Sequence, residues 1–571
     1  MRLSRDFRIL RTGREIPEWY SVFRKWVYGL SFLSLVFLVI ESGLRWQLPF
    51  IVSLLSASLD YVVLIAFVAD ALLTFYFTFP KRDYLRENWL DSLLLFSIFL
   101  KIVSLRAGAG FVVLRNVVVL VKVFTRTRKF SNLVRRIRFN APRAVAFSFA
   151  GAILAGTILL TFPTATVDGR GASFLDALFT ATSATCVTGL IVKDTPAYFS
   201  FFGQIVILIL IQAGGLGIMT YSTFLALILG RFTLGQRRMV QEMMEEERNV
   251  LSMVLYILRM TFLLELAGAG LLFLRWVFYF DSPAEALYYS VFHSISAFCN
   301  AGFALFSDSL SAFVADPIIN LTIVGLIVLG GLGFVVVYEI GTGMRRSRRR
   351  ISTHTRLVIT TSAALILLGF FVIFFFEFDG ALVEYSLPAK LWASLFQSVT
   401  PRTAGFNTVP INALSQVVLT VLVMLMFIGA SPGSTGGGIK TTTFSVLLLS
   451  LSTTLRGKEE ITMMRRSIHA GVIIKALALL VSGLLIVALF FFMLLISEDQ
   501  SFLPLLFETV SAFGTVGLST GLTPSLSPVG KILVLLLMYV GRIGPLTLGL
   551  ALAAGIRKKR SVYPEARILI G

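Results

Sequence analysis

The sequence predicts an all-α polytopic membrane protein in which four repeats of helix, pore loop and helix surround one pseudo-fourfold pore, preceded by a four-helix N-terminal transmembrane block. Three observations lead to this fold class. Of 571 residues, 56% are hydrophobic and 14% are charged, which is more apolar side chain than a soluble core of this size needs. Lys and Arg collect in short runs between the apolar stretches. A motif that opens on Phe and closes on Gly occurs four times.

The positive charges indicate orientation rather than a nucleic-acid partner. The formal net charge is +20, but the basic runs fall at every second loop, which is the positive-inside pattern of membrane proteins. We therefore expect twelve spans in the cell (cytoplasmic) membrane, with both termini cytoplasmic, the lipid bilayer around them and no nucleic acid bound.

The N-terminal block, residues 1–142, contains a cytoplasmic lead and four apolar segments, the last two of which are short for spans. It resembles a voltage-sensor domain of cation channels through Asp70, Asp91 and a basic fourth segment. A working sensor needs Arg at about every third position of that helix. Here the basic residues are separated by 9, 7 and 4 positions: Arg106, Arg115, Lys122 and Arg126. This spacing favours a packing or assembly module over a voltage sensor.

Four pore repeats are predicted to follow, each with an apolar outer helix, a re-entrant pore loop and an apolar inner helix. Their predicted ranges are 143–252, 253–353, 354–469 and 470–571. The outer helices are predicted near 144–163, 253–280, 357–378 and 470–496. The inner helices are predicted near 201–229, 317–342, 412–455 and 530–556. Each pore segment offers about a dozen residues, or ~18 Å of helix, which crosses only half a bilayer.

The four copies of the motif predict an ion-selectivity filter. They read FTATSATCVTG, FHSISAFCNAG, FQSVTPRTAG and FETVSAFGTVG, and their final glycines lie 103 to 113 residues apart. Glycine lets backbone carbonyls turn toward a common axis, where carbonyls from four loops replace the hydration shell of a monovalent cation. The alternative, four ordinary re-entrant turns that use Gly for packing, is disfavoured by the fourfold recurrence. The predicted filter residues are Val187, Thr188, Gly189, Asn300, Ala301, Gly302, Thr403, Ala404, Gly405, Thr515, Val516 and Gly517.

The third inner segment predicts a gating loop below the filter. As one helix, the stretch 417–455 would be roughly 60 Å long, about twice the hydrocarbon thickness. It must therefore break at 429–438, and irregular backbone at that depth lies beside a water-filled cavity or buried in protein. The stretch GSTGGGIKT resembles a phosphate-binding loop, but Ile439 precedes the Lys, so we expect no nucleotide bound by this chain. The predicted gating residues are Gly433, Ser434, Thr435, Gly436, Gly437 and Gly438, with Lys440 as an anchor for the following half-helix.

Arg542 is the second intramembrane feature, because it stands deep inside an apolar segment. A charge at that depth is costly and usually functional. One interpretation pairs it with a carboxylate such as Glu339 or Glu508. The favoured interpretation is a gating cation that faces the cavity, where it slows ion passage or holds the gating loop. Glu265 and Asp70 are predicted to be packed polar contacts.

The remaining reactive residues indicate no enzyme. The two cysteines, Cys186 and Cys299, each stand three residues before a filter Gly, and we expect no bridge between them. Three scattered histidines offer no zinc site. Paired carboxylates, a His cluster or an activated nucleophile are not found at usable spacing.

The signatures ATSATCVTGL, SAFCNAGF, VTPRTAGFNT and VSAFGTVGLSTG resemble the Trk/Ktr/HKT superfamily of potassium transporters, in particular the bacterial Ktr-type membrane subunit. The resemblance covers about residues 143–571. It implies a pseudo-tetrameric pore within one chain, in which the potassium ion is held by backbone carbonyls of the filter residues. It also implies the gating loop below the filter and a gating role for Arg542.

The same resemblance implies a homodimer and a cytoplasmic RCK-type nucleotide-binding regulatory subunit. Sodium is a candidate activator. A sodium-permeable transporter is the near alternative, disfavoured because all four filter positions are Gly, whereas Ser at the first accompanies sodium permeation in this family. A membrane sensor or scaffold is the alternative from another class.

Overall fold

The computed structural model describes residues 141–217, 250–345, 351–458, 460–463 and 466–545, together with isolated helical positions between 19 and 73. The chain forms two compact units. The first comprises Met1–Arg138, Phe162–Gly171 and Ala226–Arg231. The second comprises Phe139–Thr161, Ala172–Leu225 and Phe232–Gly571, and contains all four motifs.

The predicted N-terminal block lies almost wholly outside the described residues. Within the first unit, the Tyr20 hydroxyl donates a hydrogen bond of 2.8 Å to the Asp70 carboxylate, and both residues are buried. Asp70 is therefore a packed polar contact, as expected. The basic residues of the fourth predicted segment, Arg106 to Arg126, lie outside the described residues, so its spacing remains a sequence observation.

The described part of the second unit shows the order outer helix, pore helix, inner helix four times. The outer helices are α1 (Ala141–Leu160), α5 (Val250–Trp276), α9 (Thr353–Phe376) and α13 (Ala470–Ser497). The pore helices are α2 (Phe174–Thr185), α6 (Pro283–Phe298), α10 (Leu387–Val399) and α14 (Phe502–Gly514). The inner segments of the first and fourth repeats are the single helices α4 (Phe201–Gly215) and α15 (Pro528–Ile543), and a single turn, α3 (Thr195–Tyr198), precedes α4. Those of the second and third repeats are helix pairs: α7 (Pro317–Leu332) with α8 (Phe334–Arg345), and α11 (Gln416–Phe427) with α12 (Thr441–Leu455).

The fold class is confirmed as helical, with one small exception among the described residues. A two-stranded antiparallel pair, β1 (Thr462–Met463) and β2 (Arg466–Ser467), lies between the third and fourth repeats. Four of the helices that begin pore or inner segments start on a serine whose side chain accepts a backbone N–H of the first turn, an N-cap that stabilises a helix start by about 1 kcal/mol. These serines are Ser173, Ser200, Ser415 and Ser527.

Helix length separates spans from half-spans. Three described helices are long and apolar enough to cross a bilayer: Leu255–Trp276, Thr353–Phe376 and Ala470–Ser497. The pair Pro317–Leu332 and Phe334–Gly341 is a fourth candidate, bent by 106°. The pore helices have 12 to 16 residues, or about 18–24 Å, and are therefore too short to cross the hydrocarbon core. The total of twelve spans stays a prediction, since much of it rests on residues outside the described ranges.

The inner helices differ from the prediction. We expected a break only in the third, but α7 ends before Gly333, which has φ of 92°, and the chain turns sharply into α8. The physical reason is that the Phe334 N–H donates to the Gly433 carbonyl of the third repeat at 3.1 Å. The predicted helices 201–229 and 530–556 are also interrupted, because α4 ends at Gly215 and α15 at Ile543, near Gly217 (φ 77°) and Gly544 (φ 87°).

Candidate functional site

Each motif begins on a Phe that is completely buried in its pore helix: Phe179, Phe292, Phe396 and Phe507. Burial of such a ring gives it van der Waals contacts on all sides, which is what holds helices together in a membrane. The ring therefore fixes where the pore helix lies before the chain leaves it.

The hydroxyl residue four places after the Phe is where the chain turns out of the pore helix. Its backbone carbonyl accepts the N–H of the middle filter residue in all four repeats. The N···O distances are 2.8 Å (Thr188 to Ser183), 2.8 Å (Ala301 to Ser296), 2.9 Å (Ala404 to Thr400) and 2.9 Å (Val516 to Ser511). This hydrogen bond joins residues five positions apart in the first, second and fourth repeats, and four positions apart in the third, whose motif is one residue shorter.

The hydroxyl side chains hold the filter glycines from behind in two ways. In the first and fourth repeats, Ser183 and Ser511 accept the N–H of Gly189 and Gly517, each at 3.1 Å. In the second and third repeats the hydroxyl donates to the carbonyl just after the Gly: Ser296 to Phe303 at 2.8 Å and Thr400 to Phe406 at 2.5 Å.

The first residue of every filter triplet has left-handed backbone angles. Among the described residues only five that are not Gly have positive φ, and four of them are Val187 (55°), Asn300 (60°), Thr403 (71°) and Thr515 (51°). For β-branched residues this is a strained conformation, of the kind that concentrates at functional sites. The third residue, Gly, is also left-handed, with φ of 70° to 91°. This alternation lets successive carbonyls face one side of the loop.

The four loops close into a ring around one axis. A Cβ atom placed on any of the four glycines would come within 3.0 Å of the middle-residue carbonyl of the next loop. The pairs run Gly189 to Ala301, Gly302 to Ala404, Gly405 to Val516 and Gly517 back to Thr188. Each Gly thus allows the close approach of a neighbouring backbone carbonyl.

The segment between α11 and α12, residues 428–440, forms the predicted loop. Its two ends are held together, because the Ile439 N–H donates to the Phe427 carbonyl at 3.2 Å. The hydroxyls of Ser431 and Thr441 lie 2.9 Å apart. The chain therefore leaves the helical path and returns to it at almost the same place.

The loop uses the backbone groups that the break in the second inner helix sets free. The Ser431 N–H donates to the Gly331 carbonyl at 3.0 Å, and the Thr435 N–H donates to the Gly330 carbonyl at 3.3 Å. The Gly433 carbonyl accepts the Phe334 N–H. The two breaks, one predicted and one not, thus satisfy each other's backbone.

The loop also lies directly against the filter. The Gly437 N–H donates to the Thr515 hydroxyl at 3.0 Å. A Cβ atom on Gly436 would collide with the Thr403 side chain, so this Gly is required for the approach. Lys440 holds the loop from its far end, donating to the carbonyls of Gly436 at 2.7 Å and Gly437 at 3.3 Å. It therefore binds the loop to the start of α12.

Arg542 contacts the loop through backbone carbonyls. Its guanidinium donates to the carbonyl of Thr435 and to that of Gly214 at the end of α4. It is 6% exposed, so one buried cation joins the first, third and fourth repeats.

The pairing of Arg542 with Glu339 or Glu508, left open above, is wrong. Glu508 accepts from Ser519 and from Thr523, the latter at 3.0 Å, and Glu339 accepts the Ser352 N–H at 3.1 Å. The carbonyls of Thr435 in the loop and Gly214 at the end of α4 take the place of a carboxylate.

Sequence reasoning missed a set of glycines on the inner helices. Gly214, Gly330 and Gly541 each pack against the carbonyl of the residue four positions before their own filter Gly, where a Cβ would collide. Those carbonyls belong to Thr185, Phe298 and Phe513. The signal was present in the similar stretches AGGLG, LGGLG and VGRIG. In this alignment Arg542 stands where the first two repeats have Gly215 and Gly331.

Glu265 is a packed polar contact, as expected. Its carboxylate accepts from the Gln212 amide at 3.1 Å, and the Cys299 thiol lies 3.8 Å away. Both Cys186 and Cys299 are free and buried. The cluster joins α4 and α5 behind the second filter loop.

Comparisons with known proteins agree with this architecture. The family model described as TrkH, cation transport protein, matches residues 113–560. The chain is 42% identical to the "Ktr system potassium uptake protein B" of Bacillus subtilis (strain 168) over 451 residues, 78% of this chain and 100% of that protein. It is 41% identical to the protein of the same name from Vibrio alginolyticus, over 75% of this chain and 95% of that one.

Two further relatives broaden the comparison. The "Potassium/sodium uptake protein NtpJ" of Enterococcus hirae is 35% identical over 76% of this chain and 98% of its own. The crystal structure of the potassium transporter TrkH from Vibrio parahaemolyticus aligns with a TM-score of 0.59 over 94% of this chain and 99% of that one. At 17% identity it is a likeness of fold alone. The chain therefore belongs to the TrkH family of cation transport proteins, and is a multi-pass membrane transporter and not an enzyme.

Proposed function

We propose that this chain takes up potassium across the cytoplasmic membrane through a pseudo-tetrameric filter formed by its four pore loops. The observation that carries the proposal is the closed ring of glycines and carbonyls. Oxygens from twelve backbone positions around one axis replace the hydration shell of a monovalent cation. The names of the Bacillus and Vibrio relatives as potassium uptake proteins favour the same ion.

The loop 428–440, with Arg542, is proposed to be the gate. It lies against the filter and is held by hydrogen bonds to three other segments. Each of these hydrogen bonds can be replaced by one to water. Its sequence is rich in Gly and short hydroxyl residues, so the backbone has more than one accessible arrangement. A buried cation fixed to the loop also places a positive charge on the ion's route.

Regulation is proposed to come from a separate subunit. Relatives of this chain are named as parts of a Ktr system, which indicates more than one component. We propose an RCK-type nucleotide-binding ring on the cytoplasmic face, two copies of this chain and both termini on that side. Sodium is proposed as an activator. The basic links between repeats suit an acidic soluble ring.

A second candidate function is sodium permeation, since one relative is named a potassium/sodium uptake protein. Four filter glycines favour potassium over this alternative.

The test that separates the candidates is ion flux in reconstituted vesicles. We expect saturable potassium flux, with sodium a poor competitor for the filter. Comparable fluxes of the two ions would support the second candidate. No flux of either ion from a folded protein, with or without added partner, would favour a sensor or scaffold.

A further inference from the structure

The position three residues before each filter Gly lies at the base of its loop, and only the third repeat has a charge there. The four residues are Cys186, Cys299, Arg402 and Gly514. Arg402 is 4% exposed, so the guanidinium is buried in the protein behind the third filter loop. A buried charge at this place needs an explanation, because two of the three other repeats fill it with a neutral thiol.

The contacts of Arg402 do not neutralise it. Its Nη2 donates to the Ser362 hydroxyl of the outer helix α9 at 3.0 Å. Its Nε is buried without a hydrogen-bond partner. No carboxylate among the described residues forms an ion pair with it, whereas Arg275 and Lys531 pair with Asp316 and Asp176. A full positive charge is therefore kept inside the third repeat.

The direction in which Arg402 points decides where this charge acts. The side chain reaches α9, an outer helix, so it does not enter the ion's path. Its own N–H donates to the Val399 carbonyl at 3.1 Å, which places it at the C-terminal end of the pore helix α10. That end carries partial negative charge, and a cation beside it cancels part of the field that attracts an ion.

We propose that Arg402 sets the affinity of the filter for its ion, as a fixed positive charge behind the third loop that weakens cation binding and speeds release. The inference rests on the proposed function, that a monovalent cation occupies the ring. At an effective dielectric constant of ~20, a unit charge roughly 10 Å from a bound ion changes its affinity by about tenfold. Because the carbonyl ring is unchanged, the preference among ions stays the same. Conduction requires that the filter bind the ion weakly enough for it to leave, and a positive charge behind the loop weakens that binding.

The test uses the full chain in vesicles, and potassium as the probe. For Arg402→Gln we expect the half-saturating potassium concentration to fall about three- to tenfold, with no rise in maximal flux and an unchanged potassium/sodium ratio. Arg402→Lys, which keeps the charge, should stay within about twofold of the original chain. Ser362→Ala is the matched control, since it removes the hydrogen bond and leaves the charge.

A second variant protects the test against misfolding of the first. Ser362→Asp places a carboxylate opposite the guanidinium, and should lower half-saturation as Arg402→Gln does. The rise in melting temperature of the purified proteins with added potassium measures ion binding independently of transport. If the unaltered chain shows neither this rise nor potassium flux, the proposed function has failed, whatever the Arg402 variants do. An unchanged or raised half-saturation in both charge-neutralising variants overturns the proposal. A purely structural role predicts instead that Ser362→Ala behaves like Arg402→Gln.

Discussion

The contact between Arg542 and the loop gives a quantitative prediction. Arg542→Ala removes two charge-assisted hydrogen bonds, to the carbonyls of Thr435 and Gly214. Each such bond contributes about 1.5–3 kcal/mol, but only the bond to Thr435 reaches the loop, since Gly214 lies at the end of α4. Allowing half of one bond for water entering the space, the occluding arrangement loses ~0.8–1.5 kcal/mol, which is about 4- to 13-fold in its equilibrium with an open one.

The assay is potassium flux into vesicles that contain the chain without any regulatory partner. We expect Arg542→Ala to raise this flux about 4- to 13-fold, and deletion of Gly433 to Gly437 to raise it at least as much. Because the deletion removes Thr435, the double variant should gain less than the two separate gains combined. Arg275→Ala, which breaks an ion pair with Asp316 in the second repeat, is the matched control and should leave flux unchanged.

Two results would refute the reasoning. A folded deletion variant with original or lower flux would mean that the loop supports the filter and does not occlude the pore. Fully additive gains would mean that Arg542 acts on the ion directly and not through the loop. Arg542→Lys separates charge from geometry, since it keeps the cation and loses one of the two bonds.

Three further predictions follow from the filter, the partner and the N-terminal block. Gly189→Ser should lower the selectivity for potassium over sodium, because a Cβ atom there meets the Ala301 carbonyl. Competition between the two ions for uptake in a potassium-uptake-deficient host measures this selectivity, and an unchanged value at normal expression would contradict the filter assignment. Flux should respond to ATP, ADP or NAD only when a nucleotide-binding partner is added, so a response of the purified chain alone would count against a separate regulator. Voltage dependence in bilayer recordings should be weak, since each charge that crosses the field contributes only about 2.3 kcal/mol per 100 mV. Steep activation that disappears on neutralising Arg115 and Lys122 would show a working sensor.

The features that could be predicted from the sequence are those whose residue pattern recurs along the chain or whose residues are concentrated in one short stretch. The filter triplets recur four times, each after a Phe that is followed four places later by a hydroxyl residue. The loop was found because the 39 residues of 417–455 are too many for one membrane-spanning helix, and because the break at 429–438 is rich in Gly. Both signals depend on local composition.

The features that it missed depend on partners distant in the sequence. A Gly such as Gly333 is tolerated in an apolar helix, and the hydrogen bond from Phe334 that supports the break there reaches a residue of the third repeat. Contact of Arg542 with the gating loop was part of the favoured interpretation and a carboxylate partner the alternative, but the acceptors themselves, the carbonyls of Thr435 and Gly214, were not predicted. Those carbonyls are free to accept because α4 ends at Gly215 and because Thr435 lies in the break between α11 and α12, so neither carbonyl is used within a described helix.

The mutual support of the two broken helices has a consequence for how the proposed gate opens. When the loop moves, the carbonyls of Gly330 and Gly331 lose the N–H groups of Thr435 and Ser431. A bare carbonyl in a dry interior costs about 1–3 kcal/mol, so the loop is released only as water takes its place. Loop movement and wetting of the cavity are then a single event. If the loop is the gate, as proposed, dryness bars ions in the closed protein as much as steric obstruction does.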